Sequence, residues 1–231
     1  MFSHAIDAIA SNDLDFYYLV LMWPGAYCTQ TTSGSCAPVT GEPKLDFFVR
    51  GLLPYTDNGT ALTQCNKSSF NLSDLEEDLY SYWSNIRCPS TKSSYLWKSA
   101  WTIYGVCSGL TELDYFQKSL DLLQNIDMLS ILKKHDISPS DGYYNLTEIK
   151  EGIKTEIGVT AAIRCSKNKS DEFQIYEIYL CVDTDATTII PCPVLPSFTC
   201  SSSVVFSSFT YGMFNNAISM DANPIRMSVP E

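Results

Sequence analysis

The sequence predicts a single α+β domain. Segments typical of strands and segments with helical periodicity are interleaved along the chain, without the regular strand-helix-strand alternation of a parallel sheet. The chain has 231 residues, of which 45% are hydrophobic, enough for one large domain or two small ones with a real core. It has no internal repeat and no linker, which favours one domain.

The first predicted element is a strand. The run LDFYYLVLMW at residues 14–23 is continuously apolar and aromatic, which is typical of a strand buried on both faces, and it ends at Pro24. A second strand is predicted at 45–49, where Gly51 and Pro54 are expected to stop it.

A helix is predicted next, in the segment SDLEEDLYSYW. Ser73 and Glu76 have the spacing of a capping box. Leu75, Leu79 and Tyr82 then line one face of the helix.

The longest predicted helix runs from Asp114 to about His135. Its inward residues are Phe116, Leu120, Leu123 and Ile126, and Lys133, Lys134 and His135 lie at its negative end.

The last third of the chain predicts one more helix and one more long strand. Ile149, Ile153 and Ile157 recur at four-residue steps before Gly158, which indicates a helix. Residues 173–182 are typical of a strand. The part beyond it, rich in cysteine and proline, is expected to form cross-linked loops and edge strands.

Charge argues against a nucleic-acid partner. The chain has 15 Lys and Arg against 26 Asp and Glu, a net charge of −11. Nucleic-acid binding draws most of its affinity from neutralised phosphates, so no stable complex with RNA or DNA is expected. An acidic soluble protein kept at high concentration also has this charge.

Cysteines and sequons favour the secretory pathway. The nine cysteines are dispersed rather than paired as C-x-x-C, which favours disulfides over zinc or redox chemistry. Sequons for N-glycosylation begin at Asn58, Asn66, Asn71, Asn145 and Asn168.

The sequence carries no membrane or leader signal. No stretch reaches the ~18 apolar residues of a transmembrane helix. The first residues, MFSHAIDAIASND, have no apolar run long enough for a signal peptide, so we expect a mature or recombinant form with the signal removed, soluble and lumenal.

Six segments occur together, and in the same order, in one known family. They are WPGAYC at 23–28, FVRGLLP at 48–54, AWTIYGVC at 100–107, DLLQNIDMLSIL at 121–132, IYEIYLCV at 175–182 and CPVLP at 192–196. On these segments the chain resembles the plant S-like ribonucleases of the ribonuclease T2 family, over about residues 14–209. The resemblance implies an α+β fold with a central, mostly antiparallel sheet flanked by helices.

Both active-site motifs of that family are altered. The family has His-Gly-Leu-Trp-Pro where this chain has RGLLP, and Glu-Trp-x-Lys-His-Gly-x-Cys where it has AWTIYGVC. In the family, the two histidines act as general acid and general base for cleavage through a 2′,3′-cyclic phosphate, and the Glu and Lys stabilise the developing charge. The corresponding residues here are Arg50 and Leu53 in the first motif, and Ala100, Ile103 and Tyr104 in the second.

These replacements predict the loss of ribonuclease turnover. On a helix, positions 100, 103 and 104 share one face, which now offers methyl, sec-butyl and phenol groups. Arginine stays protonated far above neutral pH, and tyrosine, with a pKa near ~10, is a poor proton shuttle. Each positioned acid or base contributes on the order of 10²–10⁴ in rate. The two histidines of the chain, His4 and His135, are not expected to replace the lost pair.

Apolar residues re-line the family's cleft. Leu21 and Met22 stand where family members commonly carry glutamines. Besides chance drift, two explanations stay open: the cleft has collapsed into extra core, or it has become a pocket for a small apolar molecule with an anionic or carbonyl group. The candidate pocket residues are Leu21, Met22, Arg50, Leu53, Trp101, Ile103 and Tyr104.

The resemblance also implies a disulfide pairing. Ser35 replaces the family cysteine that pairs with the cysteine of the WPG motif, so Cys28 is expected to be a free thiol, buried and inert. The implied pairs are Cys36 with Cys88, Cys65 with Cys107, Cys165 with Cys200 and Cys181 with Cys192.

Both ends of the chain are expected to be tails, residues 1–13 and 210–231, flanking a domain at 14–209. In the C-terminal tail, the stretch NPIR at 223–226 resembles the sequence-specific vacuolar sorting signal of plant proteins.

These features favour a catalytically inactive ribonuclease homologue, stored in a plant vacuole as a storage or defence protein, with an extracellular location as the alternative. A second hypothesis is a repurposed enzyme or binding protein for a small plant metabolite, with Arg50 as anchor and Tyr104 as proton donor. A third is residual ribonuclease activity through unusual residues. We expect no cofactor, no metal, no membrane contact and a monomer.

Overall fold

A computed structural model describes residues 13–30, 34–72 and 75–215. The strands are β1 (Phe16–Met22), β2 (Ser35–Cys36), β3 (Phe48–Tyr55), β4 (Gly142–Asn145), β5 (Ala162–Lys167), β6 (Phe173–Val182), β7 (Ile189–Ile190), β8 (Ser203–Phe206) and β9 (Phe214–Asn215), and the helices are α1 (Pro24–Gln30), α2 (Glu76–Tyr82), α3 (Ser94–Ile103), α4 (Glu112–Ile126), α5 (Met128–Lys134) and α6 (Leu146–Ile157).

A seven-stranded, mostly antiparallel sheet forms the centre, in the order β3-β1-β6-β8-β4, with β5 and β7 also paired to β6. Its one parallel pairing joins β6 to β8. Strands β2 and β9 form a small separate parallel sheet. Helices α3 to α6 pack into the main core. The α+β prediction is confirmed. Among the described helices, none combines the length and apolar composition needed to cross a bilayer.

Strand β1 is buried along its whole length, as predicted. Alternate side chains of a strand point to opposite faces, so its residues divide between two clusters. Tyr17, Leu19 and Leu21 belong to the main core, which includes the helices. Phe16 and Val20 belong to a smaller cluster on the other face. A strand with apolar contacts on both sides needs the continuous apolar run seen in the sequence.

The prediction that Gly51 and Pro54 stop the second strand is wrong, because β3 continues through both. The register between β3 and β1 shifts next to Gly51, which marks a bulge, a common position for glycine inside a strand. β3 is an edge strand. The carbonyl of Pro54 accepts a bond from Leu62 N, outside the β1 pairing. The nitrogen of Pro54 faces the same way, so the missing N–H costs no sheet bond.

The prediction of one long helix from Asp114 to His135 is also wrong. The chain forms α4 and α5, separated by Asp127 in a left-handed conformation with φ 45°. The backbone N–H of Asp127 donates to Leu123 O and closes α4, and its side chain accepts from Ser130 N and caps α5. Asp is one of the few residues that tolerate this conformation, and it is a favourable N-cap.

The other predicted elements are present. Helix α6 ends at Gly158, which has a left-handed φ of 78°, and β6 spans the predicted strand. Helix α2 begins at Glu76 with Leu75 at its N-cap and no side-chain cap, and Ser73 lies outside the described residues. Among the C-terminal strands, β8 lies inside the sheet between β6 and β4 rather than at an edge. Residues 210–215 add β9 to the domain.

Four disulfides cross-link the fold. They join Cys36 to Cys88, Cys65 to Cys107, Cys165 to Cys200 and Cys181 to Cys192, the pairs that the resemblance implies. Cys28 is free and buried, and the Ser35 hydroxyl donates to its sulfur. Burial raises the pKa of the Cys28 thiol to about 11, because the thiolate would lose its hydration.

We therefore predict that Cys28 resists alkylation in the native protein. With a pKa of about 11, only about one thiol in a thousand is ionised at pH 8, and the thiolate is the reactive form. Under non-reducing conditions, mass spectrometry should find no iodoacetamide adduct on native protein and one adduct after denaturation. The Cys28→Ala variant should show none in either state. Three adducts on the denatured protein would contradict the pairing.

Candidate functional site

The segment WKSAWTIYGVC forms α3 and the following 3-10 turn, and its aromatic residues anchor it in the core. Trp97 is fully buried and donates from its indole N–H to Trp83 O at 2.9 Å. Trp101 packs over Gly105, where an added Cβ would lie 2.2 Å from the indole ring. Glycine at this position is thus required by packing, and Cys107 ties the turn to Cys65. The tryptophans, the glycine and the cysteine all hold the helix in place.

The sequence suggested that residues 100, 103 and 104 share one helical face, but α3 ends before Tyr104. Its last residue is Ile103, whose carbonyl accepts from Gln64 N at 2.7 Å. Tyr104 is the C-cap residue, and its N–H donates to Ala100 O. Ala100 is buried, whereas Ile103 and Tyr104 are partly exposed. The Ala100 and Ile103 side chains have no ionisable group and no hydrogen-bonding atom.

Arg50 lies at the bulge of β3, opposite the register shift in β1. Its guanidinium is 4.0 Å from Glu177 Oε1 on β6, and the Arg50 side chain is 54% exposed. Glu177 itself is only 3% exposed. Its other oxygen accepts from Arg164 at 3.1 Å and from the Tyr179 hydroxyl at 2.8 Å. One buried carboxylate is therefore shared by two guanidinium groups, which leaves one positive charge in excess at this end of the sheet.

Burial, followed by the nearby Glu177 carboxylate, raises the pKa of both Tyr176 and Tyr179 above that of ordinary tyrosine. Both causes oppose the phenolate form. These two hydroxyls therefore stay protonated at neutral pH, where they act as hydrogen-bond donors and not as bases.

A cavity of about 790 Å³ opens beside Arg50. Met22 and Arg50 are the two residues of the expected pocket that line it. Its other walls come from α1, from the loop at residues 84–91 and from the outer face of α3. The lining residues that sequence reasoning missed include Tyr27, Gln30, Asn85, Arg87, Tyr95, Ser99 and Tyr176.

The remaining members of the expected pocket lie elsewhere. Leu21 is fully buried in the main core, and Trp101 is buried there too. Leu53 packs against the smaller cluster, on the face of the sheet opposite the main core. Ile103 and Tyr104 do not line the cavity. Of the seven residues, the structure therefore brings only Met22 and Arg50 to the cavity wall.

Comparison with known proteins identifies the family of this chain. A model of the Ribonuclease T2 family matches residues 14–192. The chain belongs to the ribonuclease T2 family. It is 39% identical to extracellular ribonuclease LE of Solanum lycopersicum over 207 residues, which cover 87% of this chain and 90% of that protein. It is 26% identical to a ribonuclease-like storage protein of Panax ginseng over 198 residues, which cover 84% of this chain and 81% of that protein.

Solved structures show the same fold. The crystal structure of RNase NT in complex with 5'-AMP aligns with a TM-score of 0.81 at 36% identity, covering 85% of this chain and all of that chain. A structure of the RNase MC1 mutant N71S in complex with 5'-GMP aligns with a TM-score of 0.72 at 29% identity, covering 84% of this chain and all of that chain.

No described histidine lies at the family's catalytic positions in this ribonuclease T2 homologue. His135, at the end of α5, has its Nε2 3.3 Å from Glu156 Oε1 and packs over Gly152, both on α6. His4 lies outside the described residues. No group of three or more potential metal ligands occurs within residues 13–30, 34–72 and 75–215.

The loop at residues 84–91 could have been anticipated. The implied bond between Cys36 and Cys88 already placed it beside β2, and so near α1. The loop is fixed by Asn85, whose side-chain amide donates to Thr91 at 2.6 Å and whose carbonyl accepts from Arg87 N at 3.1 Å. Arg87 is thereby presented from a braced loop.

Glu177 should be important for the stability of the ribonuclease-like domain. The Glu177→Gln variant keeps the shape of the side chain but removes the charge that Arg164 and Arg50 face, so we expect a loss of about 1–3 kcal/mol in the free energy of unfolding. Chemical denaturation monitored by circular dichroism measures the loss. The exposed loop variant Glu42→Gln should change stability by less than about 0.5 kcal/mol. Equal effects of the two variants would contradict a special role for Glu177.

Proposed function

We propose that this protein is a catalytically inactive ribonuclease T2 homologue that serves as a storage or defence protein of the plant secretory pathway. The observation that carries the proposal is the absence, among the described residues, of any imidazole at the positions where the family motifs place the general acid and the general base. Arg50 and Tyr104 occupy those positions.

The chemistry that remains cannot replace the lost pair. Cleavage of RNA needs one group that accepts a proton from the 2′-hydroxyl and one that donates a proton to the leaving oxygen. The Arg50 guanidinium, next to Glu177, offers only hydrogen-bond donors and no acceptor, so it cannot take up a proton. Ala100 and Ile103 carry no charge to stabilise the transition state, a contribution that is often the largest single one in such reactions.

Storage or defence is supported by the robustness of the scaffold. Long-loop disulfides each contribute roughly 3–4 kcal/mol, so the fold does not depend on an intact active site. Similarity to a protein named as ribonuclease-like and a storage protein supports the same role. The sequon asparagines Asn58, Asn66, Asn71 and Asn145 are exposed and Asn168 is half-buried, which suits glycosylation in the secretory pathway.

A second candidate function is the binding or conversion of a small plant metabolite. It is favoured by the cavity that Arg50 and Met22 line, which has not collapsed into the core. Abundance separates the two functions, since a storage protein should dominate an extract of its tissue, whereas a metabolic protein should be scarce.

Ribonuclease activity provides the direct test of inactivity. In an RNA zymogram at acidic pH, the purified protein should give no cleared zone, while a T2 ribonuclease loaded as a positive control clears the gel. Clearance by this protein at the rate of that control would refute the proposal. A variant that restores the family motifs should regain at least about 10²-fold activity, because it recovers positioned acid-base groups. Its substitutions are Arg50→His, Leu53→Trp, Ala100→Glu, Ile103→Lys and Tyr104→His.

Histidines are the decisive part of this restoration. A matched variant with only Ala100→Glu and Ile103→Lys should stay inactive, because it still lacks both proton-transfer groups. Activity in that variant would show that another residue already supplies them.

Vacuolar delivery is proposed on the stretch NPIR at 223–226, which lies outside the described residues. Replacing Ile225 with Gly in a fluorescently tagged chain should divert the protein to the apoplast, since the signal is expected to be read through its sequence. Confocal imaging of leaf cells measures the redistribution. Replacing Met227 with Gly, just beyond the stretch, serves as the control and should leave vacuolar delivery unchanged. Unchanged delivery of the Ile225 variant would refute the signal.

A further inference from the structure

The cavity beside Arg50 has an unusual charge. The protein carries 26 acidic residues, but no carboxylate belongs to the described lining of this cavity. Two arginines line it, Arg50 from the bulge of β3 and Arg87 from the braced loop. In a chain with a net charge of −11, this is a local concentration of positive charge. Such a site attracts small anions.

The guanidinium groups of Arg50 and Arg87 can both still bind a ligand. Glu177 lies closer to Arg164, at 3.1 Å, than to Arg50, at 4.0 Å, so Arg50 is only loosely engaged. Arg87 has no ion pair among the described residues, and its backbone N–H rather than its side chain holds the loop. Arginine offers several N–H donors in a planar fork that matches the two oxygens of a carboxylate.

Three aromatic rings also line the cavity. Tyr27, Tyr95 and Tyr176 contribute to the wall, and Met22 adds a flexible apolar surface. Tyr176 is largely buried, whereas Tyr95 is 66% exposed at the outer side of α3. A planar aromatic molecule can pack against such rings.

We propose that this cavity binds a small planar aromatic carboxylate, with Arg50 and Arg87 holding the carboxylate and the tyrosines packing against the ring. The volume, about 790 Å³, is in the range of small-molecule sites. A nucleoside monophosphate shares the same chemistry of ring and anion. The carboxylate is favoured because the Asn85 amide, which could otherwise contact a base edge, is engaged with Thr91 and with Arg87 N.

This binding site specifies the second candidate function and is independent of the loss of ribonuclease activity. A negative zymogram stands whether or not the acid binds, and failure to bind the acid leaves the inactive homologue in place.

Isothermal titration calorimetry on the whole purified protein tests the site, with 4-hydroxycinnamate as the probe. The acid should bind, and its methyl ester, which keeps the ring and loses the charge, should bind at least about tenfold more weakly. 5'-AMP and adenosine form a second pair of probes. Preference for 5'-AMP over the acid by about tenfold or more would overturn the proposal and assign the cavity to nucleotides.

Variants then locate the binding. Arg50→Gln and Arg87→Gln should each weaken 4-hydroxycinnamate binding by about tenfold, and Arg50→Lys should recover part of the loss. Lys98→Gln, on the same helix as Tyr95 but outside the cavity lining, removes the same charge and should leave affinity unchanged. Circular dichroism verifies that each variant is folded.

The ring contact has its own control. Tyr95→Ala should weaken binding, while Tyr95→Phe, which keeps the ring, should bind as the wild type does. Absence of binding to the wild-type protein, equal binding of acid and ester, or an equal loss in Lys98→Gln would each overturn the proposed site.

Discussion

Strand β1 is the constraint on which the rest of the molecule depends. It is buried on both faces and paired on both edges, with β3 on one side and β6 on the other. Its register places Met22 opposite Phe48 on one neighbour and Glu177 on the other. A shift of one residue would move every side chain of the strand to the other face, into a cluster whose packing does not match it. The positions of Arg50, Met22 and Glu177 are therefore fixed together, by hydrophobic burial rather than by polar contacts.

In the segment WKSAWTIYGVC, the residues that pack α3 into the core are different from the residues at the family's catalytic positions. Trp97, Trp101, Gly105 and Cys107 are buried, and each has a packing partner or a bond that positions α3. Ala100, Ile103 and Tyr104 occupy the positions where the family carries its chemistry, and their replacement leaves those packing contacts in place. A fold of this family can thus keep its architecture while its reactive groups change.

The cavity beside Arg50 differs in charge from the chain as a whole. The whole chain is acidic, yet the groups around β3 and β6 combine one buried carboxylate with two guanidinium groups, and a third, Arg87, lies at the cavity wall. A chain with net negative charge can still hold one small anion at such a point, because ionic interactions between exposed groups are screened within about 10 Å at ordinary salt concentration. The net negative charge, from which we expect no stable nucleic-acid complex, is therefore compatible with a small acidic ligand.

Local sequence determined much of this protein. The apolar run of β1, the isoleucine spacing of α6 and the ordered motifs of the family depend on neighbouring residues, and those predictions were confirmed by the fold and by the family match. Tertiary structure decided three further points. Pro54 is tolerated because β3 is an edge strand, and Asp127 breaks the long helix by capping both halves. The lining of the cavity was the third. Leu21 is fully buried in the main core, whereas its neighbour Met22 also reaches the cavity wall, and Arg87 and Tyr95 reach the cavity only through a loop and a helix packed beside it. Sequence patterns report which side chains must be buried, whereas the partner across a cavity depends on how distant segments pack, and no local pattern encodes that.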